Sequence, residues 1–155
     1  MSQKVTVKIA AYRLKKQLKN HISYETVREY ANQKNFDVFS YSEGWEVITD
    51  LKVVGMAQKS NSFIYVGKRV RAIFIDEGQQ ESLFLLLHEL GHYLLGHTID
   101  CQTGHSIREE NEANLFAELV LKGNKRRHKR LLIAIIIILV LAVAAGFLGL
   151  HYLGG

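Results

Sequence analysis

The sequence contains no proline and only one cysteine among its 155 residues. A single cysteine cannot form an internal disulfide, so we exclude a disulfide-stapled secreted module and expect a reducing compartment. Residues 1–121 hold no repeat, linker or low-complexity tract, and we expect them to form one domain. Because residues 1–20 are rich in cations and lack a long apolar run, we expect no secretory signal peptide.

Acidic residues are absent after Leu121, although the whole chain carries 20 basic and 15 acidic residues, a formal charge of +5. Six of the basic residues lie in segment 122–130, which leaves residues 1–121 with 14 basic and 15 acidic side chains, or −1. Nucleic-acid binding usually needs a basic face on the folded body. We therefore expect no direct nucleic-acid partner.

Segment 131–150 lacks any charged or amide side chain. As a helix it would be about 30 Å long, the thickness of a bilayer's hydrocarbon core, so it is predicted to be a transmembrane helix. Segment 122–130 would then be a basic juxtamembrane collar that contacts anionic headgroups, and 151–155 a short tail. The positive-inside rule predicts a single-pass protein of the cell membrane, with residues 1–121 cytoplasmic and the C-terminus outside.

The apolar pattern of residues 1–121 predicts a small α+β domain. The spacing predicts helices over 5–19, 23–34, 79–95 and 107–121. Short strands are predicted at 36–41, 45–49, 53–56, 62–66 and 70–75, with the last two forming a hairpin. Gly96 is expected to cap the third helix, and Ser106 with Glu109 forms an S-x-x-E capping box for the fourth.

The helix predicted over 79–95 contains the motif H-E-x-x-H, formed by His88, Glu89 and His92. Residues four apart lie on one helix face, so both imidazoles can reach a single Zn²⁺. Glu89 lies beside them and can act as the catalytic base toward a water molecule. The alternative is that both histidines are core residues with satisfied hydrogen bonds.

A catalytic zinc site needs a third protein ligand, for which the sequence offers His97 or a glutamate. His97 would face away from His88 on a continued helix, so it is a poorer candidate for a ligand than for a residue that hydrogen-bonds a ligand or lies at the surface. Among the glutamates that follow, Glu110 shares a small-residue face with Asn114, whereas Glu109 belongs to the capping box and Glu112 points nearly opposite. Glu110 is the predicted ligand, and Asn114 is expected to orient a ligand. The alternative that all three acids form a solvated surface stays open.

These two segments, His88–His97 and Glu110–Ala117, resemble the ImmA/IrrE family of metallo-endopeptidases, as does the preceding strand Arg71–Asp76. The resemblance implies a gluzincin-like α+β fold. It also implies zinc held by His88, His92 and Glu110, with Glu89 as the base. Relatives in that family cleave DNA-binding repressor proteins.

The sequence thus predicts a zincin-like domain, followed by one transmembrane helix, that acts as a zinc metallopeptidase. Its expected substrate is a regulatory protein such as a helix-turn-helix repressor. Tyr93, His97 and His105 are candidates for stabilising the oxyanion or contacting the substrate. The alternative function is a latent or non-proteolytic, membrane-tethered zinc sensor or binding module.

Overall fold

A computed structural model describes residues 3–77, 82–97, 99, 104–122 and 137. The chain divides into two units, Met1–Leu121 and Lys122–Gly155. Every element described below belongs to the first unit, apart from the last residue of its final helix. In the second unit the described residues are Lys122 and Ile137, and both are helical.

The first unit contains six helices and three strands within its described residues. The elements are α1 (Gln3–Gln17), α2 (Tyr24–Gln33), β1 (Asp37–Ser40), α3 (Trp45–Asp50), α4 (Val54–Ala57), β2 (Ser62–Val66), β3 (Arg71–Ile75) and α5 (Ser82–Leu95). A further helix, α6, covers 107–122. This small α+β architecture agrees with the fold predicted for the domain.

The three strands form a mixed sheet in the order β1-β3-β2. β1 runs parallel to β3, and β2 pairs antiparallel with β3 as the predicted hairpin. Successive residues of a strand point to opposite faces, so the central strand divides its buried residues between two cores. Ile73 and Ile75 face the core shared with α1, α2, α5 and α6, whereas Ala72 and Phe74 face α3 and α4.

Two short segments differ from their predicted secondary structure. Segments 45–49 and 53–56 were predicted to be strands, but they lie within or overlap the helices α3 and α4. Tryptophan, valine and isoleucine favour strands, which makes such short segments ambiguous. Here Ile48 is fully buried against the aromatic face of the sheet, so tertiary packing overrides the local preference.

The transmembrane part of the predicted fold class is contradicted. Within the described ranges, no helix is both long and apolar enough to cross a membrane. The predicted span 131–150 lies outside the described residues except for Ile137. The prediction used hydropathy, which describes the composition of a segment and not its conformation. The prediction of a single-pass location in the cell membrane, with its cytoplasmic and external sides, is wrong on the same finding.

Helices α5 and α6 approach each other closely at Gly91, between the two histidines of the motif. A Cβ atom added there would lie 3.0 Å from a ring carbon of Phe116 and 3.5 Å from the Cα atom of Ala113. Phe116 is fully buried, so its ring has little room to move. The small residues at this crossing therefore set the distance between the two helices.

Replacing Gly91 with alanine is expected to lower the free energy of unfolding by about 1–2 kcal/mol, since overpacking outweighs the gain in helix propensity. Gly55 is the matched control, because it lies in α4 with nothing within 4 Å of an added Cβ atom. Urea unfolding of both variants measures the difference. Equal free energies of unfolding for Gly91→Ala and Gly55→Ala would show that the close approach of α5 and α6 does not disfavour a Cβ atom at position 91.

Candidate metal centre

The ends of α5 and α6 fix where the candidate ligands lie. α5 ends at Leu95 and is followed by Gly96, whose φ of +73° is favourable for glycine. The backbone N–H of His97 then donates to the carbonyl of His92 over 3.0 Å, which folds the chain back against the helix end. α6 begins with the predicted capping box, in which Ser106 and Glu109 exchange backbone-to-side-chain hydrogen bonds of 2.9 and 3.3 Å. These hydrogen bonds confirm the predicted box.

Three side-chain ligand atoms converge where α5 meets α6. Ligand atoms of His88, His92 and Glu110 all lie within 4.8 Å of one another, and this group could hold a metal ion. The Nε2 atoms of the two histidines are 3.1 Å apart. The Glu110 carboxylate lies 3.3 Å from Nε2 of His88 and 3.6 Å from Nε2 of His92. The structure therefore brings together all three predicted ligands.

These separations fit a tetrahedral ion. Two ligand atoms that are each about 2.0–2.1 Å from a tetrahedral zinc ion lie about 3.3–3.4 Å apart. The three distances of 3.1, 3.3 and 3.6 Å bracket that value. Glu110 keeps 43% of its side chain exposed while His92 is fully buried, so the cluster is open on the glutamate side.

Hydrogen bonds on the far side of each imidazole fix which nitrogen carries a proton. Nδ1 of His88 lies 2.9 Å from Oδ1 of Asn114, an acceptor, so Nδ1–H donates and Nε2 keeps its lone pair. Nδ1 of His92 lies 3.0 Å from Nδ1 of His97. Because Nε2 of His97 donates to the carboxylate of Glu112 over 3.2 Å, its Nδ1 is the acceptor and His92 donates.

Both Nε2 atoms of the ligand pair therefore direct lone pairs into the cluster. Burial, followed by the neighbouring rings of His105, His88 and His97, lowers the pKa of His92 to about 3, which keeps this imidazole neutral. The two Nε2 lone pairs and the carboxylate oxygens of Glu110 are all electron-rich, and they repel one another. A cation removes that repulsion, so the donor set fits a metal ion.

Glu89 lies beside the cluster in a buried and hydrogen-bonded position. The hydroxyl of Ser62 donates to Oε1 of Glu89 over 2.6 Å, and the backbone N–H of Ile64 also donates to the carboxylate. Burial raises the pKa of Glu89 to about 7, with Ser62 opposing the shift and the charge of Glu110 adding to it. A carboxylate of raised pKa is suited to accepting and returning a proton.

A cleft of about 360 Å³ opens onto the cluster. It lies between α5 and the chain leading into β2, and its described lining includes His88, Glu89, His92, Glu110 and His105, together with Ser60, Asn61, Ser62, Phe63 and Ile64. The same cleft thus contains the candidate metal ligands, the candidate base and part of a strand.

β2 is an edge strand of the sheet within the described part of the chain. Backbone hydrogen bonds join Gly67 to Val70 and Asn61 to Asp76 at the two ends of the hairpin. Because hydrogen-bonded pairs alternate along an antiparallel ladder, the backbone groups of the three residues at 62, 64 and 66 point away from β3. No described strand pairs with that side.

The three other predicted site residues lie in different surroundings. His105 lines the cleft, and its ring stacks on His92 with centroids 3.6 Å apart. Its Nδ1 atom is buried and has no hydrogen-bond partner among the described residues. Tyr93 points elsewhere, since its ring packs on Phe36 beneath the guanidinium of Arg71. His97 contacts His92 from behind and is not among the described residues that line the cleft.

Two residues in these contacts were not identified from the sequence. Ser62 lies 27 positions before Glu89, and no local pattern connects them. Glu112 was placed opposite Glu110 on the helix, yet it contacts His97, which the turn at Gly96 brings around. The only sequence signal for Glu112 is its position four residues after Arg108, with which it forms an ion pair.

Part of the chain matches a known family of peptidases. Residues 81–151, slightly less than half of the chain, match the family described as peptidase U49. No curated protein and no solved structure matches the chain. The match supports a peptidase, the coarser part of the prediction, and does not show the ImmA/IrrE family. Over α5, α6 and the cluster between them, the chain is therefore similar to a family of peptidases.

Proposed function

We propose that this protein is a zinc-dependent endopeptidase. The observation that carries the proposal is the convergence of His88, His92 and Glu110, with Glu89 hydrogen-bonded at their side. Two imidazoles and one carboxylate form a ligand set typical of catalytic zinc, which binds three protein groups and leaves a fourth position open. The peptidase match covers all four residues.

Glu89 would act as general base and then as general acid. A bound zinc ion would supply Lewis acidity that polarises a peptide carbonyl and lowers the pKa of water. Glu89 accepts the proton of the attacking water and passes it to the leaving amine. Its hydrogen bonds from Ser62 and Ile64 hold the carboxylate in one orientation throughout.

The outer edge of β2 suggests how a protein substrate would bind. An extended peptide could pair with the outward backbone groups at position 62, where β2 lines the cleft. Such pairing recognises backbone rather than sequence, which suits an endopeptidase acting on an unfolded or exposed segment. A helix-turn-helix repressor as the natural substrate remains a prediction from the family resemblance.

His105 is the proposed contact for the carbonyl oxygen of the substrate. Its ring lines the cleft and stacks on His92, so a ring N–H that faces the cleft could donate a hydrogen bond to the substrate. A donor near the reacting carbonyl would stabilise negative charge that develops on the oxygen. Tyr93 is withdrawn from this role because its ring packs against Phe36.

Removal of zinc tests the proposal. The purified full chain, depleted with a chelator, is expected to lose its cleavage of a proteome-derived peptide library and to regain it with one equivalent of Zn²⁺. New N-termini counted by mass spectrometry give the readout. Equal cleavage with and without metal would contradict the proposal, and stoichiometric zinc binding without any cleavage would favour the non-catalytic zinc module.

A further inference from the structure

A chain of hydrogen bonds leads from His92, behind the cluster, outward to the surface. The side chain of His97 is only 6% exposed, and both of its ring nitrogens have partners. Nδ1 lies 3.0 Å from Nδ1 of His92, and Nε2 lies 3.2 Å from Oε2 of Glu112. The other oxygen of Glu112 accepts from Nε of Arg108 over 3.2 Å.

We propose that His97 is a positioning residue that holds His92 in the tautomer required for metal binding. Glu112 accepts the Nε2 proton of His97, which leaves Nδ1 of His97 as an acceptor for His92. His92 must then carry its proton on Nδ1, and its Nε2 lone pair faces Glu110. This role rests on the proposed metal site, because it acts through a ligand of that site.

The geometry separates His97 from the ligands themselves. Its ring contacts the side of His92 that is remote from Nε2, and both nitrogens are committed to His92 and Glu112. To bind the metal ion itself, His97 would have to break one of these hydrogen bonds and turn toward the cleft.

Helix α6 consequently supports the whole centre by three different contacts. Glu110 offers a carboxylate to the cluster, and Asn114 accepts a hydrogen bond from His88. Glu112 reaches His92 through His97. Groups that hydrogen-bond metal-ligating histidines commonly change metal affinity by about 10–100-fold when they are removed.

The test compares His97→Leu with His97→Gln in the full chain. Zn²⁺ affinity, measured by competition with a chromophoric chelator, is expected to fall about 10–100-fold in His97→Leu. His97→Gln is expected to recover most of this loss, because its amide oxygen can accept from His92 and its NH₂ group can donate to Glu112. His21→Leu, at an exposed histidine in another loop, is the matched control.

A second readout uses the metal-free protein. Imidazole ¹⁵N spectra are expected to show His92 as the Nδ1–H tautomer in the wild type and in His97→Gln, and as a tautomer mixture in His97→Leu. Unchanged zinc affinity together with an unchanged tautomer would overturn the proposal. Complete loss of zinc without rescue by glutamine would also overturn it, since His97 would then be a ligand. If the wild type binds no zinc but His97→Leu still changes the tautomer of His92, the proposed zinc site is wrong. The effect of His97 on the tautomer of His92 would then still hold.

Discussion

Replacement of Glu89 with glutamine is expected to lower peptide-bond cleavage by about 10²–10⁴-fold, the usual contribution of a positioned general base. Glutamine has nearly the same shape, and its amide oxygen can still accept the hydrogen bond from Ser62, which is 2.6 Å long in the native protein. The amide cannot take a proton from water. Zinc should remain bound in one equivalent, because Glu89 is not among the three clustered ligands.

Glu118→Gln is the matched control for this experiment, because Glu118 is an exposed acid on α6. It should leave both zinc content and cleavage unchanged. Cleavage rates on the peptide library, measured beside zinc content by mass spectrometry, separate the two effects. Full activity of Glu89→Gln would contradict the mechanism, and loss of zinc from this variant would show that Glu89 binds the metal.

Replacement of Glu110 with glutamine is expected to weaken zinc binding about 100-fold. An apparent binding free energy of about 10–16 kcal/mol, shared among about four ligands, gives about 3 kcal/mol for one ligand. Every 1.4 kcal/mol changes an affinity tenfold. The loss of the carboxylate charge removes the only anion among the three clustered ligands.

The neighbouring acid provides a matched control for Glu110. Hydrogen bonds from the backbone and the side chain of Ser106 lower the pKa of Glu109 to about 2, so this carboxylate serves the helix cap. Glu109→Gln should therefore keep wild-type zinc affinity. If Glu109→Gln weakens zinc binding as much as Glu110→Gln does, or if Glu110→Gln has no effect, then Glu110 is not the third ligand.

The parts of the fold that follow a regular period could be predicted from the sequence. The apolar spacing of α1, α2, α5 and α6 and the alternation of the β2–β3 hairpin each placed an element within a few residues of its observed bounds. The third-ligand argument also used a helical period, and the structure places Glu110 with the two histidines.

The remaining features depend on contacts between distant residues. Ile48 is helical because the sheet offers it a buried place, which the preferences of its neighbours do not reveal. The contact between Ser62 and Glu89 depends on how β2 packs beside α5. The pairing of His97 with Glu112 depends on the turn at Gly96. Hydropathy alone also predicted a membrane helix that the described residues do not contain.

If this protein cleaves other proteins as proposed, the cleavage should depend on the carboxylate of Glu89. The most direct test compares protein N-termini, by mass spectrometry, in cells that express equal amounts of the wild type or of Glu89→Gln. We predict new N-termini from a small set of proteins with the wild type only. Identical N-termini in the two cultures, with both proteins folded and loaded with zinc, would contradict the account.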